Sequence, residues 1–260
     1  MRRDPMLTVD LGNSRLKACR WERSGDRFEC VSRWENEADQ LGRFELWLAR
    51  EQLALAALAS VAEPRRTERV SALLAERAGR FFLAPDSGLE NRCREPERVG
   101  ADRLYAAAGA AALCGRSCIV VEAGTALTVD ALLVSPGVSA FLGGAIAPGP
   151  RLMAAALASG TARLPRIEPS AGARALGTVT EDALQAGVVV GFRGAAERLV
   201  EEIAEEARLG AVPVVLTGGA REFLLVPRPF TARPLEVVPE LVHRGLLAAL
   251  LRVEDAPGHE

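Results

Sequence analysis

One short pattern occurs twice in this chain, and the repetition limits what it can fold into. Val9-Asp10-Leu11-Gly12-Asn13-Ser14 and Val121-Glu122-Ala123-Gly124-Thr125-Ala126 share a plan. Each is an apolar strand ending in an acid, then a glycine turn with a short polar residue, then a returning strand. Self-similarity of this kind points to a duplicated fold with a cleft between two halves, although two short hairpins also match by chance. The boundary is expected near Gly115-Arg116, giving halves of 1–115 and 116–260. Each half is long enough to bury a core of its own.

Strand-like and helix-like spacing alternates along the rest of the chain, which predicts an α/β protein. Strands are expected at Leu7–Asp10, Arg15–Trp21, Phe28–Trp34, Leu53–Val61 and Arg80–Leu83. Helical spacing marks Ala38–Glu51, Thr67–Ala78 and the alanine-rich Ala101–Cys114, and Asp86–Val99 reads as a loop. In the second half, strands are expected at Cys118–Glu122, Ala126–Val134, Val212–Leu216 and Leu235–Val238. Helices are expected at Arg151–Ser159, Thr180–Glu206 and Glu240–Arg252.

Composition removes several classes of function. With 32 Lys and Arg against 34 Asp and Glu, the chain lacks the basic footprint of a nucleic-acid binder. No apolar run reaches the roughly 18 residues that span a bilayer. The charged stretch Met1–Pro5 has no signal-peptide pattern, so the expectation is a cytoplasmic protein without a membrane partner. The cysteines, Cys19, Cys30, Cys93, Cys114 and Cys118, form no metal-binding spacing and read as thiols in a reducing compartment. His243 reads as a helix-surface residue and His259 as part of a fraying tail. Acid–base chemistry therefore falls to carboxylates.

The turns suggest what that chemistry is. Glycine lets the backbone approach a ligand closely, and successive N–H groups in such a turn make a concave site for anions. A carboxylate beside phosphate needs a cation between them, and Mg²⁺ is the natural one. Asp10 is placed for this role, with Lys17 adding positive charge. Gly124-Thr125, Gly143-Gly144 and Thr217-Gly218-Gly219 are read as further glycine turns after strands, two hairpins gripping phosphates and a later one lying against adenine and ribose. No P-loop pattern is present. Gly100-Ala101-Asp102-Arg103 opens a helix. An Asp there serves as a cap, or as the carboxylate that takes a proton from an attacking hydroxyl, with Arg103 holding an anionic substrate.

Taken in order, these motifs resemble the type III pantothenate kinases. Asp10-Leu11-Gly12-Asn13-Ser14 resembles the family's D-x-G-N-[ST] opening, and Gly100–Arg103 its G-x-D-R element. Glu122–Asp130 is similar to its D-x-G-T-A-x-T-x-D, and Gly143–Gly149 to its G-G-x-I-x-P-G. Gly177–Thr180 and Thr217-Gly218-Gly219 follow in family order. The resemblance implies the actin-like ATPase fold, two ribonuclease-H-like halves, in a homodimer. It implies transfer of the ATP γ-phosphoryl to the 4′-hydroxyl of pantothenate, the first step of coenzyme A synthesis. Asp102 matches the catalytic base, while Gly100, Ala101 and Arg103 match pantothenate contacts. Asp10, Leu11, Gly12, Asn13, Ser14, Arg15, Leu16 and Lys17 match the loop for ATP and Mg²⁺, with Thr125 a further ATP contact. Thr180 matches a substrate-contacting residue near the dimer interface, and K⁺ or NH₄⁺ is implied as a cofactor.

Two positions depart from the pattern. Glu122 stands where the family has the aspartate that ligates the monovalent cation. Cys93 stands where the family usually has a tyrosine beside the substrate. A non-catalytic accessory protein that keeps the fold, or a kinase of the same fold for another small hydroxyl acid, are the competing readings.

Overall fold

The structure, a computed structural model, describes residues 5–25 and 27–255; His259 lies outside them. The described residues form two compact units. The first runs to Glu90, resumes for Arg94–Gly115 and takes in the chain from Glu240; the second holds Asn91–Cys93 and Arg116–Pro239. The expected halves of 1–115 and 116–260 differ from these units at the last helix, which packs with the first, and at Asn91–Cys93, which belong to the second.

The first unit contains β1 (Met6–Leu11), β2 (Arg15–Ser24), β3 (Arg27–Glu37), α1 (Leu41–Leu48), β4 (Leu53–Ser60), α2 (Pro64–Arg77) and β5 (Ala78–Leu83). A short strand β6 (Glu90–Asn91) leads to α3 (Ala101–Cys114), and α8 (Leu241–Asp255) completes the unit. Its sheet has the order β3-β2-β1-β4-β5, with β1 antiparallel to β2 and parallel to β4. Both faces of the central strands are buried, which is why β4 reads as a continuous apolar run. On one face Leu7, Val9 and Leu11 pack with Phe44, Leu48, Val70 and Leu74 of α1 and α2. The opposite face carries Thr8 and Asp10 and is covered by α3 and α8.

The sequences of α3 and α8 explain how closely they cross. A methyl group on Gly109 would strike the carbonyl of Leu241, and one on Gly245 would strike that of Tyr105. The run of alanines around Gly109 keeps this face of α3 flat enough for the contact. Pro64 opens α2 at the position where a missing N–H costs nothing, and Gly115 ends α3 in the left-handed conformation at φ 59°.

His243 corrects an expectation: it is buried rather than on the helix surface. Its Nδ1 lies 3.0 Å from Thr8 Oγ1, which also accepts the Trp21 indole N–H at 2.8 Å. Burial, with the charge of Lys17, pushes its pKa down to about 3. A histidine that must stay neutral when folded charges more readily when unfolded, so the unfolded state binds more protons below pH 6.5. Its stabilising contribution is therefore complete above pH 6.5 and lost as pH falls toward 3. Unfolding titrations at pH 7 and pH 5 should show the wild type losing about 2 kcal/mol more than His243→Gln over that step.

The second unit repeats the first. It contains β7 (Cys118–Ala123), β8 (Ala126–Ser135), β9 (Val138–Pro148), α4 (Pro150–Gly160), α5 (Thr180–Gln185) and α6 (Gly191–Glu206). It ends with β10 (Val214–Thr217), α7 (Glu222–Leu225) and β11 (Leu235–Val237). The sheet order is β11-β10-β7-β8-β9-β6. Apart from β6 this is the order of the first sheet, with the same parallel and antiparallel pairings. Ile119, Val121, Leu127, Val129 and Leu216 form its core with Phe192, Ala196 and Val200 of α6. The long helix expected over Thr180–Glu206 is continuous, with a π turn at Ala186–Val190 between α5 and α6.

Gly143-Gly144 is not a turn after a strand, as the sequence suggested, but lies inside β9. A side chain on Gly144 would strike the Val129 carbonyl and sit 2.5 Å from Asp130 Oδ1. Gly144 therefore leaves room for a buried acid on β8. Among the described residues no helix is long and apolar enough to cross a membrane.

Candidate active site

In the first unit the candidate residues gather at the end of β1. Asp10 is 9% exposed and pairs in register with Lys17 across the β1–β2 ladder. Burial raises its carboxyl pKa to about 6; Lys17 opposes this, and Asp102 and Glu35 add to it. Asp102 lies in the first turn of α3, so the fold brings together the two acids that the sequence separated by 92 positions. Its Oδ1 accepts the backbone N–H of Arg103 at 2.8 Å. A methyl group on Gly100 would sit 2.5 Å from that same oxygen, which is the reason for glycine just before this turn.

The turn that follows β1 is held from several sides. Gly12 N–H donates to Arg15 O at 2.9 Å, and Ala38 N–H to Ser14 O at 3.0 Å. Arg66, at the start of α2, donates to Asn13 O at 3.2 Å. Asn13, Ser14 and Arg15 are exposed, and Arg15 pairs with Glu35 at 3.2 Å. Leu11 and Leu16 are fully buried, so their side chains serve the core and only their backbone can face a ligand.

The second unit builds a companion turn from glycines that sequence order scatters. Gly124 N–H donates to Ala126 O at 2.8 Å and closes the turn that carries Thr125. Gly149 N–H donates to Thr125 O at 2.9 Å, and a side chain there would strike Gly124 O and lie 2.7 Å from Thr125 O. Gly218, at φ 96°, is pressed on Ala123, and Ala220 N–H donates to Ala123 O at 2.8 Å. Two distant segments therefore converge on Ala123–Thr125. Adding one methyl group at Gly149 should displace the Thr125 turn at a cost of roughly 1–3 kcal/mol. With Thr125 as the ATP contact that the resemblance implies, Gly149→Ala is expected to raise the KM for ATP more than that for the second substrate, measurable by steady-state kinetics.

Glu122 stands in register between Thr217 on β10 and Thr128 on β8. Both threonines are buried, and the row faces away from the α6 core. Thr180 is exposed at the first position of α5, where Gly177 packs against the Asp182–Ala183 backbone. Cys93 belongs to the second unit, its N–H donating to Asn91 Oδ1 at 3.1 Å beside Gly143. The structure thus places Gly100, Ala101, Asp102 and Arg103 with Asp10 in one unit, and Cys93, Glu122, Thr125 and Thr180 in the other. Glu35 and His243 were missed as neighbours of the Asp10–Lys17 pair. The signal for His243 was present, since it shares helical spacing with the buried Leu247 and Leu250.

A family model described as type III pantothenate kinase matches residues 6–202. The chain belongs to the type III pantothenate kinase family. A Thermus thermophilus protein named type III pantothenate kinase is 41% identical over 204 residues, covering 76% of this chain and 75% of that one. A protein of the same name from Chromobacterium violaceum is 33% identical over 242 residues, covering 93% and 97%. Among solved structures, a Campylobacter jejuni protein provisionally described as a Baf family transcriptional activator aligns with a TM-score of 0.59 at 20% identity, covering 96% and 99%. A Sinorhizobium meliloti protein provisionally described as a 2-dehydro-3-deoxygalactonokinase aligns at 0.54 and 14% identity, covering 98% of both chains. At such identities these structures speak for the fold alone, a mixed α/β fold shared with proteins described as sugar kinases.

Proposed function

We propose that this enzyme transfers the γ-phosphoryl group of ATP to the 4′-hydroxyl of pantothenate, the first step of coenzyme A synthesis. One observation carries the reading. In a chain of this family, α3 sets Asp102 within electrostatic reach of the buried Asp10, whose strand partner is Lys17. Asp102 takes the hydroxyl proton as the oxygen attacks phosphorus. Arg103 offers the substrate carboxylate two parallel N–H donors. Gly100, Ala101, Cys93 and Thr180 are the remaining substrate contacts in this reading. In this reading the exposed turn at Asn13–Ser14, and Thr125, contact the phosphates through backbone N–H groups, with Arg15 and Lys17 supplying charge.

Asp10 fits a Mg²⁺ role. Mg²⁺ typically uses one or two protein carboxylates and fills its remaining positions with water and phosphate oxygens. A buried carboxylate that ionises reluctantly gains from such a cation. Bound there, Mg²⁺ would neutralise charge on the phosphate oxygens. Glu122, flanked by two threonine hydroxyls, supplies an oxygen set suited to K⁺ or NH₄⁺. For the homodimer, support comes from Leu152 and Leu157 on α4 with Val179 and Val190 near α5, all exposed and apolar in the second unit.

Pantothenate-dependent ADP formation, run in K⁺, NH₄⁺ and Na⁺ salts, tests the reading. Turnover is expected in K⁺ and NH₄⁺ and much less in Na⁺. No pantothenate-dependent turnover in any of the three would overturn the assignment, and equal rates in all three would remove the cation role from Glu122.

A further inference from the structure

Two cysteines that the catalytic reading does not use share one face of the first sheet. Cys19 on β2 pairs with Arg33 of β3, and Cys30 on β3 pairs with Trp21. Cys19 and Trp21 are two residues apart on one strand, so both point the same way. The ladder slips between Arg20 and Trp21, leaving Val31 as an extra residue that bends β3 at this point. Cys30 comes to lie diagonally across from Cys19, near enough for each sulfur to shift the other's ionisation, and its thiol donates to Ser32 O at 3.4 Å.

The surroundings of the two sulfurs differ. Cys30 is half-buried on the edge strand, within hydrogen-bonding reach of the Arg33 guanidinium, which also pairs with Glu240. Cys19 is buried at 2% exposure. The thiol of Cys19, and then Arg33, hold the Cys30 pKa below the ordinary thiol range. Cys19 is shifted upward by the neighbouring Cys30 sulfur and by burial.

We propose that Cys30 and Cys19 form a peroxide-reactive dithiol, Cys30 attacking and Cys19 resolving. The Cys30 thiolate attacks one oxygen of hydrogen peroxide. The O–O bond breaks, hydroxide leaves and takes a proton from solvent, and Cys30 is oxidised to the sulfenic acid as the peroxide is reduced. That product is neutral, so the negative charge that held the proton on Cys19 is gone. Cys19 then attacks the Cys30 sulfur; the S–O bond breaks, the S–S bond forms, and hydroxide leaves with the Cys19 proton as water. Two thiols and one peroxide give one disulfide and two waters. The edge position of β3 and its bulge provide the slack that closing the bond requires. Burial keeps peroxide from Cys19, which fixes the order of the two roles.

The test is to treat the folded protein with hydrogen peroxide, quench with an alkylating agent and map the peptides by mass. The expected product is a Cys19–Cys30 disulfide, with Cys30 consumed at least about tenfold faster than Cys93 in the same sample, as thiolate character controls the rate. In Cys19→Ala, Cys30 should instead be trapped as the sulfenic acid by a cyclic 1,3-dione. Arg33→Gln should slow Cys30 consumption several-fold with the circular dichroism spectrum unchanged. The wild-type arm stands even if a variant fails to fold. Cys30 reacting no faster than Cys93, or passing to the sulfinic acid while Cys19 stays reduced, would overturn the proposal.

Discussion

Asp102→Asn is expected to lower pantothenate-dependent turnover by roughly 10²–10⁴-fold, the usual worth of a positioned general base. The fold should be untouched. Asparagine gives up the favourable first-turn charge, worth roughly 0.3–1 kcal/mol, but keeps an oxygen for the Arg103 N–H at 2.8 Å. ATP binding should survive, because in the proposed reading the nucleotide is held by Gly12–Ser14 and Thr125. The KM for pantothenate should change little if Arg103 holds the carboxylate as proposed. A second signature separates catalysis from structure. Asp102 is one of the charges raising the Asp10 pKa, so its neutralisation should move that pKa down. A variant that loses turnover and ATP binding together would argue that Asp102 supports the site rather than acting in it.

Asp10→Asn should abolish turnover and yet stabilise the unliganded protein. The folded Asp10 carboxyl titrates at about 6 against 3.8 for the unperturbed group, so the folded state holds its proton more tightly between those values. Stability from this group is complete below pH 3.8 and lost as pH rises through 6. Above that, its ionised form burdens the fold by on the order of 3 kcal/mol. Removing the charge recovers that amount at pH 7.5 and little at pH 3.5. Denaturant unfolding at the two pH values is the measurement. A loss of stability at pH 7.5, or an equal effect at both, would contradict it. The cost of an ionised Asp10 is what a bound cation would offset, so Mg²⁺ with ATP should raise the melting temperature of the wild type and not of the variant.

Much of this site was legible before folding because strand-then-turn chemistry is local. An apolar run of about five residues, an acid and a glycine are enough to mark where Asp10 and Glu122 sit. The same holds for Ala101–Cys114, whose helix begins and ends where the sequence places it because Gly100 and Gly115 bracket an alanine-rich run. Local rules were weaker where the partner is distant. Gly143-Gly144 carries a turn signal but lies inside β9, where Gly144 pairs with Asp130 and leaves it room. His243 looks like a surface residue until α8 is laid on β1, where Thr8 receives it. Cys19 and Cys30 are merely two cysteines until a bulge in β3 sets them diagonally.

The repeated hairpin is the clearest case of what each level decided. By itself the sequence determined that a strand, an acid and a glycine turn occur twice, since those depend on residues within a few positions of one another. Only the tertiary structure decided that the two copies head sheets of the same strand order. It also decided that Gly149 and Gly218 brace the second turn, and that α3 carries Asp102 to the first. Those outcomes depend on close backbone contacts between segments far apart in the chain, and such contacts are fixed only when the layers pack.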